Sequence, residues 1–139
     1  QILQRLAKTL VKYQDPQSGT WYQVTDQGAR EGNYLESSAT ALFIYTLAKA
    51  VNKGYIGKEY IQPTRKAFDG MVKTFTRLEE DGSYTITNCC AVAGLGGDSK
   101  RYRDGSFEYY ISEPVIENDP KSVGSFILAA IEYEKMTDK

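Results

Sequence analysis

The stretch Ser18-Gly19-Thr20-Trp21-Tyr22-Gln23-Val24 decides how this chain is read, because it recurs in altered form as Asp81-Gly82-Ser83-Tyr84-Thr85-Ile86. Each copy runs from a glycine turn through a small hydroxyl residue and an aromatic ring to a β-branched residue, which is how a tight turn enters a short strand. Helical periodicity surrounds both copies. Leu3, Leu6, Leu10 and Tyr13 fall three or four apart ahead of the first. Leu35, Ala39, Leu42, Phe43, Leu47, Ala50 and Val51 form a wider stripe between the copies, and Asn52-Lys53-Gly54 ends it. A third stripe uses Thr64, Phe68, Met71, Val72, Phe75 and Leu78, with Pro63 in its first turn. The last uses Val123, Phe126, Ile127, Ala130 and Ile131, and opens with Asp119 as N-cap and Pro120 as first helical residue.

The unit is helix, turn, short strand, loop, helix, and it occurs twice. One αα-hairpin cannot bury its apolar stripes alone, so repeated hairpins stack side by side. The fold expected is all-α: an arc of an α/α toroid, four helices in two αα-hairpins with short β-strands in the connecting loops, forming a single domain over residues 1–139. Loops of some 20 residues without a helix are uncommon unless they serve a function. Segments 25–34 and 88–118 both lie at one end of the hairpins, which is therefore the end to search.

Composition narrows the chemistry. Seventeen basic and 18 acidic residues leave a net charge of −1, which recruits neither nucleic acid nor an anionic membrane. Apolar runs such as Ala41 to Tyr45 are far below the roughly 20 residues that span a bilayer. With no histidine and two adjacent cysteines, Cys89 and Cys90, the chain holds no imidazole base, no Ser-His or Cys-His pair and no tetrahedral zinc set. No cofactor or metal is expected. Two thiols that are poorly placed to pair with each other lean towards the cytoplasm, with the periplasm left open. The chain starts at Gln1 in what reads as helix interior, so we expect an excerpt from something longer.

Two loop segments carry candidate binding residues. In Arg30-Glu31-Gly32-Asn33-Tyr34-Leu35-Glu36, Asn33 and Glu36 have capping-box spacing, which gives Glu36 a structural account. Arg30 and Glu31 lack one, and pocket wall and surface ion pair both stay open for them. The run Gly94-Leu95-Gly96-Gly97 is not followed by the Gly-Lys-Ser/Thr of a phosphate loop. In Arg103-Asp104-Gly105-Ser106-Phe107-Glu108-Tyr109-Tyr110-Ile111, Asp104 and Gly105 read as a turn and residues 106–111 as a short alternating strand. Glu113 precedes Pro114 and is expected to be extended. Eleven tyrosines against five phenylalanines and one tryptophan suit carbohydrate, since each ring brings a stacking face and a hydroxyl. A toroid centre lined by amphipathic rings would use the same composition.

Taken together and in order, these motifs resemble the C-terminal part of the unsaturated rhamnogalacturonyl hydrolases of glycoside hydrolase family 105, relatives of family 88. The segments that carry the resemblance are Gly19 to Val24, Arg30 to Ser38, Val92 to Gly97, Arg103 to Tyr110, Ser112-Glu113-Pro114 and Asn118 to Lys121. It spans essentially the whole chain. It implies a six-hairpin α/α-barrel of which these helices are about one third. It also implies removal of a 4,5-unsaturated uronic acid from the non-reducing end of an oligosaccharide by protonation and hydration of the C4–C5 double bond, after which the hemiketal rearranges. That differs from two-carboxylate displacement at the anomeric carbon.

The family's general-acid Asp belongs to a segment upstream of the region matched, so no catalytic residue is assigned here and the 139-residue chain by itself is expected to be inactive. The expected substrate-binding residues are Arg30, Glu31, Tyr34, Arg103, Tyr109, Tyr110 and Glu113. Arg103 is placed ahead of Arg30 for the uronate, whose two oxygens match a guanidinium fork; the alternative is that both arginines hold loops by ion pairs. The expected partner is an oligosaccharide, and the exposed hairpin faces of a partial barrel invite self-association. Two other readings are a non-catalytic carbohydrate-binding or scaffold piece, and a different α/α toroid such as a polysaccharide lyase or a terpenoid cyclase. The charged loops and the lack of an Asp-rich calcium loop weigh against the last.

Overall fold

The structure is a computed structural model that describes residues 1–28, 30–97 and 102–137. Five α-helices and four short strands follow in chain order among these residues: α1 (Ile2–Lys12), α2 (Ser37–Asn52), α3 (Ile61–Phe75), β1 (Thr76–Leu78), β2 (Tyr84–Ile86), β3 (Cys89–Cys90), α4 (Phe107–Ser112), β4 (Val115–Ile116) and α5 (Pro120–Thr137). A single 3-10 turn, Lys58–Tyr60, leads into α3. The four expected helices are present as α1, α2, α3 and α5, and the short strands lie in their connections. The chain is an arc of an α/α toroid.

Trp21 closes the first hairpin. It is completely buried. Its indole Nε1 donates to the Leu10 carbonyl of α1 at 2.8 Å, and its backbone N–H donates to Thr40 Oγ1 of α2 at 3.2 Å. Its ring meets Phe43 edge-on with centroids 5.3 Å apart, a favoured aromatic geometry. Around it the core gathers Ala7 and Leu10 from α1, Ile44 and Leu47 from α2, Ala67, Met71 and Phe75 from α3, and Ala129 from α5. The turn that delivers Trp21 crosses α3 closely, because the Ser18 carbonyl lies 1.8 Å from where a Cβ on Gly70 would stand. Only glycine fits there, despite its cost in a helix interior.

The most extensive helix contact is between α2 and α5. They run side by side in the same direction: Ser37 Oγ and Ser122 Oγ are 2.9 Å apart at their N-terminal ends, and Asn52 Nδ2 donates to the Glu132 carbonyl at 2.8 Å further along. Both helices bury small residues, Ser37, Ala41 and Ala48 on one and Ser122, Ser125 and Ala129 on the other, which lets backbones approach closely. This corrects the sequence reading of α5. Ile127 and Ile131, taken as core, are 56% and 43% exposed, while Phe126 packs against the core. In a toroid the large apolar residues of such a helix face adjoining hairpins, so apolar periodicity alone misplaces the side that packs on α2.

The short strands form two separate antiparallel pairs. β1, read as the end of the third helix, pairs antiparallel with β2, with Arg77 opposite Thr85, and Gly82 makes the turn between them at φ 84°. In the first repeat only Tyr22 bridges, to Leu35. β3 pairs antiparallel with β4, Cys89 opposite Ile116 and Cys90 opposite Val115, which ties the two ends of the 88–118 loop together. The 106–111 segment is α4 rather than a strand. Ser106 Oγ accepts from Tyr109 N–H at 3.1 Å as an N-cap, and Phe107 is buried. Phe107, Tyr110 and Ile111 fit helical spacing while Phe107, Tyr109 and Ile111 fit alternation, and over six residues the cap decides between them.

Candidate functional site

The site is built where the two long loops meet over the N-terminal ends of α2 and α5. Asn33 anchors the first loop. Its side-chain Oδ1 accepts from the Val24 and Tyr34 N–H groups at 3.1 Å each, and its Nδ2 donates to the Val24 and Gln27 carbonyls at 2.9 and 2.8 Å. Asn33 is therefore a loop clamp and not the helix cap expected from its spacing. That position belongs to Glu36, whose Oε2 accepts from Ala39 N–H at 2.6 Å. Glu36 Oε1 also accepts from Ser38 Oγ at 2.8 Å and from the Cys90 N–H of β3 at 3.0 Å. A carboxylate that is 1% exposed is thus held by three donors and fastens the second loop to the first helix pair.

Arg30 reaches across to α4. Its guanidinium lies 3.7 Å from the centre of the Phe107 ring, pairs with Glu108 through Nη2 and donates from Nη1 to Gln27 Oε1 at 2.9 Å. Gly32, below it, faces Ile111 of α4. Glu31 is exposed beside this contact. Tyr34 is half-buried with its hydroxyl beside the Cys90 thiol, and burial, followed by that thiol, pushes its ionisation above the ordinary tyrosine range. Burial likewise pushes up the Cys89 thiol.

On the other side of α4 a second cluster forms. Glu113, extended before Pro114 at φ −69° and ψ 142°, is 2% exposed, and Arg103 Nε stands 3.6 Å from its Oε1. The Tyr109 hydroxyl accepts from Gly94 N–H at 3.1 Å, and burial and a hydrogen bond to Glu113 both raise its ionisation. Tyr110 tilts against Tyr109 with ring centroids 4.9 Å apart. Arg103 also exchanges backbone hydrogen bonds with Gly96, both at 2.8 Å. Of the seven expected residues, Arg103, Tyr109, Tyr110 and Glu113 come together. Arg30 lies across α4 from them, Tyr34 lies beneath the loops and Glu31 faces solvent.

Asp104 and Asp119 have the structural roles expected of them. Asp104 Oδ1 accepts from Ser106 N–H at 2.8 Å, and Asp119 Oδ1 accepts from Lys121 N–H at 2.8 Å at the start of α5. The Ser106 side chain and then its N–H hold Asp104 below the ordinary carboxylate range; the Lys121 side chain and then its N–H do the same for Asp119. Arg77 depresses Glu117 similarly. A carboxylate depressed on folding contributes stability that is complete above its unfolded value and is lost as pH falls through the lower folded value. Thermal stability should be level near neutrality and fall below about pH 4, and Asp119→Asn should flatten part of that acid limb. An acid limb identical in the variant would remove Asp119 from the account.

The sequence reading missed a cavity of about 370 Å³ between the two clusters' loops, lined by Gln23, Glu36, Ser38, Cys90, Val92 and Lys121 among others. Lys121 spans its mouth, donating to the Ala91 carbonyl at 3.1 Å and pairing with Asp119 at 2.8 Å. The available signal was Lys121 in the first turn of α5, two residues after the cap. Nothing in the sequence places Gln23 or Cys90 beside it. No group of acidic residues and cysteines among the described residues is arranged to hold a metal ion, and no described helix is long and apolar enough to cross a membrane.

The model of Glycosyl Hydrolase Family 88 matches residues 1–137. The chain belongs to this family. Family 88/105 relatives with solved structures share its fold. A glycoside hydrolase from family 105 of C. acetobutylicum ATCC 824 is 44% identical, with a TM-score of 0.88, and the match covers 92% of this chain and 35% of that one. A possible GH105 member from Salmonella enterica serovar Paratyphi A is 28% identical, with a TM-score of 0.73 over 95% of this chain and 30% of that one. Protein Atu3128 of Agrobacterium fabrum is 39% identical over 120 residues, 84% of this chain. The 24.9 kDa protein in the picA locus of Rhizobium radiobacter gives the same figures. This family 88/105 chain spans about half (52%) of those curated relatives and about a third of the solved chains.

Proposed function

We propose that residues 1–139 are the C-terminal part of a six-hairpin α/α-barrel glycoside hydrolase that removes 4,5-unsaturated uronic acid from the non-reducing end of rhamnogalacturonan-derived oligosaccharides by hydrating its double bond. The family match over residues 1–137 carries this reading. Arg30, Glu31, Tyr34, Arg103, Tyr109, Tyr110 and Glu113 are its pocket wall, and the general acid comes from a segment upstream of them. Arg103 is the uronate ligand. Among the described residues its guanidinium forms one ion pair, from Nε to Glu113, within the Tyr109–Tyr110 cluster. Arg30 spends its Nη atoms on Gln27 and Glu108.

In the full-length enzyme, Arg103→Ala should raise KM for an unsaturated digalacturonide or galacturonyl-rhamnose by about tenfold to a hundredfold, the worth of a charge-assisted hydrogen-bond pair, with a smaller effect on kcat. An unchanged KM would dismiss Arg103. The 139-residue chain by itself should leave the ultraviolet absorbance of the conjugated double bond intact. Turnover by that chain, abolished in Asp104→Asn or Glu113→Gln, would overturn the assignment of the acid to an upstream segment.

Two features bear on setting. Cys89 and Cys90 are unpaired and buried, which supports a reducing compartment, the cytoplasm ahead of the periplasm. Ile127, Leu128 and Ile131 leave an apolar strip on α5, a surface that adjoining hairpins of the full barrel would cover or through which the separate chain would self-associate.

A further inference from the structure

We infer that the outward surface of α1 and α3 is a binding track for a linear acidic polysaccharide, a polymer that carries a carboxylate on successive sugars. The choice of a uronate polymer among polyanions rests on the reading above, but the track itself rests on where this chain puts its charge.

Charge is segregated along the sequence. Residues 1–12 and 53–75 contain eight lysines and arginines against two acidic side chains, Glu59 and Asp69, in a molecule whose net charge is −1. The remaining segments carry the acidic excess. On α1 the helical repeat puts Arg5, Lys8 and Lys12 on one exposed stripe, opposite Leu3, Ala7 and Leu10, which pack into the core. Successive charges on that stripe are about 4.5 and 6 Å apart along the axis, a step close to the length of one sugar unit. On α3, Lys66, Asp69 and Lys73 likewise turn away from the buried Thr64, Ala67 and Met71. Because both stripes point away from the core, hairpins that extend the toroid pack beside them rather than over them.

The two helices also enclose grooves. Arg5 and Lys8 face Ile56, Glu59 and Tyr60 across one of about 500 Å³, and Gln17 and Ser18 face Arg65, Lys66 and Lys73 across another of about 440 Å³. Gln14 Nε2 donates to the Pro63 carbonyl at 2.9 Å between them. As α1 and its turn advance from Gln4 to Ser18, the facing segment advances from Ile56 to Lys73, so the grooves follow one line. Their cations are available. Glu59 folds back over Gly57, its Oε2 lying 2.0 Å from where a Cβ on that glycine would stand. Neither Glu59 nor Asp69 forms an ion pair among the described residues. Lys66 gives one proton to the Pro16 carbonyl and keeps its charge. A groove lined by one sign of charge concentrates the opposite ion. Gln4, Gln17, Gln62 and Tyr60 line the same grooves. Amide and phenol groups both donate and accept, which suits the hydroxyls between a polysaccharide's charges, whereas a phosphodiester link offers acceptors only.

The test is fluorescence anisotropy with the full-length enzyme and a long saturated oligogalacturonide labelled at its reducing end. That probe has no unsaturated end, so the hydrolytic pocket has nothing to act on. Binding should be saturable, weaken as sodium chloride rises, and be lost with the fully methyl-esterified oligomer, whose carboxylates are capped. Arg5→Gln with Lys8→Gln should weaken it about threefold, as should Arg65→Gln with Lys73→Gln, and the four together about tenfold, the worth of a few screened surface ion pairs. None of the four side chains is buried, so the melting temperature and the kcat/KM for an unsaturated disaccharide should stay at their wild-type values. Unchanged binding by the fourfold variant, equal binding of the methyl ester, or equal or tighter binding of duplex DNA would overturn the track. Failure of the hydrolase reading alone would remove disaccharide turnover and leave polymer binding intact, and failure of the track alone would leave turnover and the Arg103 effect on KM intact.

Discussion

Trp21→Ala is expected to remove about 3–5 kcal/mol of folding free energy, a large part of the roughly 5–15 kcal/mol by which a domain is stable. The indole is completely buried and touches all parts of the first hairpin: Leu10 of α1 through Nε1, Thr40 of α2 through its backbone and Phe43 through its ring edge. Alanine leaves a cavity the size of the indole and removes one of the two donors to the Leu10 carbonyl, which keeps its bond from Tyr13 N–H. Trp21→Phe should recover part of the loss by refilling volume without restoring the Nε1 bond. Urea unfolding followed by far-ultraviolet circular dichroism measures both, and a loss below 1 kcal/mol for the alanine variant would mean that α1 and α2 hold together without this residue.

Glu36→Ala should cost about 2–4 kcal/mol, from a lost N-cap of about 1 kcal/mol and a buried Cys90 N–H left without its acceptor at about 1–3 kcal/mol. The effect should extend beyond α2. Since Glu36 Oε1 joins β3 to the helix, hydrogen exchange of the Cys90 and Ala91 amides should accelerate more than that of Leu47 in the core. Glu36→Gln keeps one acceptor but turns an N–H donor towards another donor, so it should fall between wild type and alanine. Equal protection of Cys90 in all three proteins would show that the β3–β4 pairing alone holds the second loop.

These two residues also mark the boundary of what the sequence discloses. Trp21 announces its role, because the glycine turn, hydroxyl and aromatic ring recur at Gly82 to Tyr84 and no exposed turn has a use for an indole. The four helices were legible from stripes of three and four, and the family from motifs in order. Asp104 and Asp119 were legible as turn and cap because those bonds close within two residues. Local geometry is written locally.

Glu36 was only half legible. Its cap is a contact with Ala39, three residues on, but its second role depends on Cys90, 54 residues away. The capping box read over Asn33 to Glu36 did not form, because the 24–33 loop claims the Asn33 side chain and Glu36 itself is the N-cap. The helix over 107–112 was missed because six residues carry too few turns for periodicity to separate from alternation, and a side-chain cap tipped the balance. Ile127 and Ile131 look like core from their spacing, yet which apolar face of α5 meets α2 is set by small residues on both helices, a property of the pair.

The sequence by itself determined the four long helices and the glycine turns, which rest on spacing along short stretches, and the toroid arc and the family, which rest on the order in which those stretches recur. Tertiary structure alone decided that Arg30 spends its charge on Glu108 while Arg103 stands beside Glu113, and that Gln23, Glu36, Ser38 and Lys121 face one cavity. Those facts require two loops and two helix ends to arrive at one place, and the packing of Trp21 and of α2 on α5 is what brings them there.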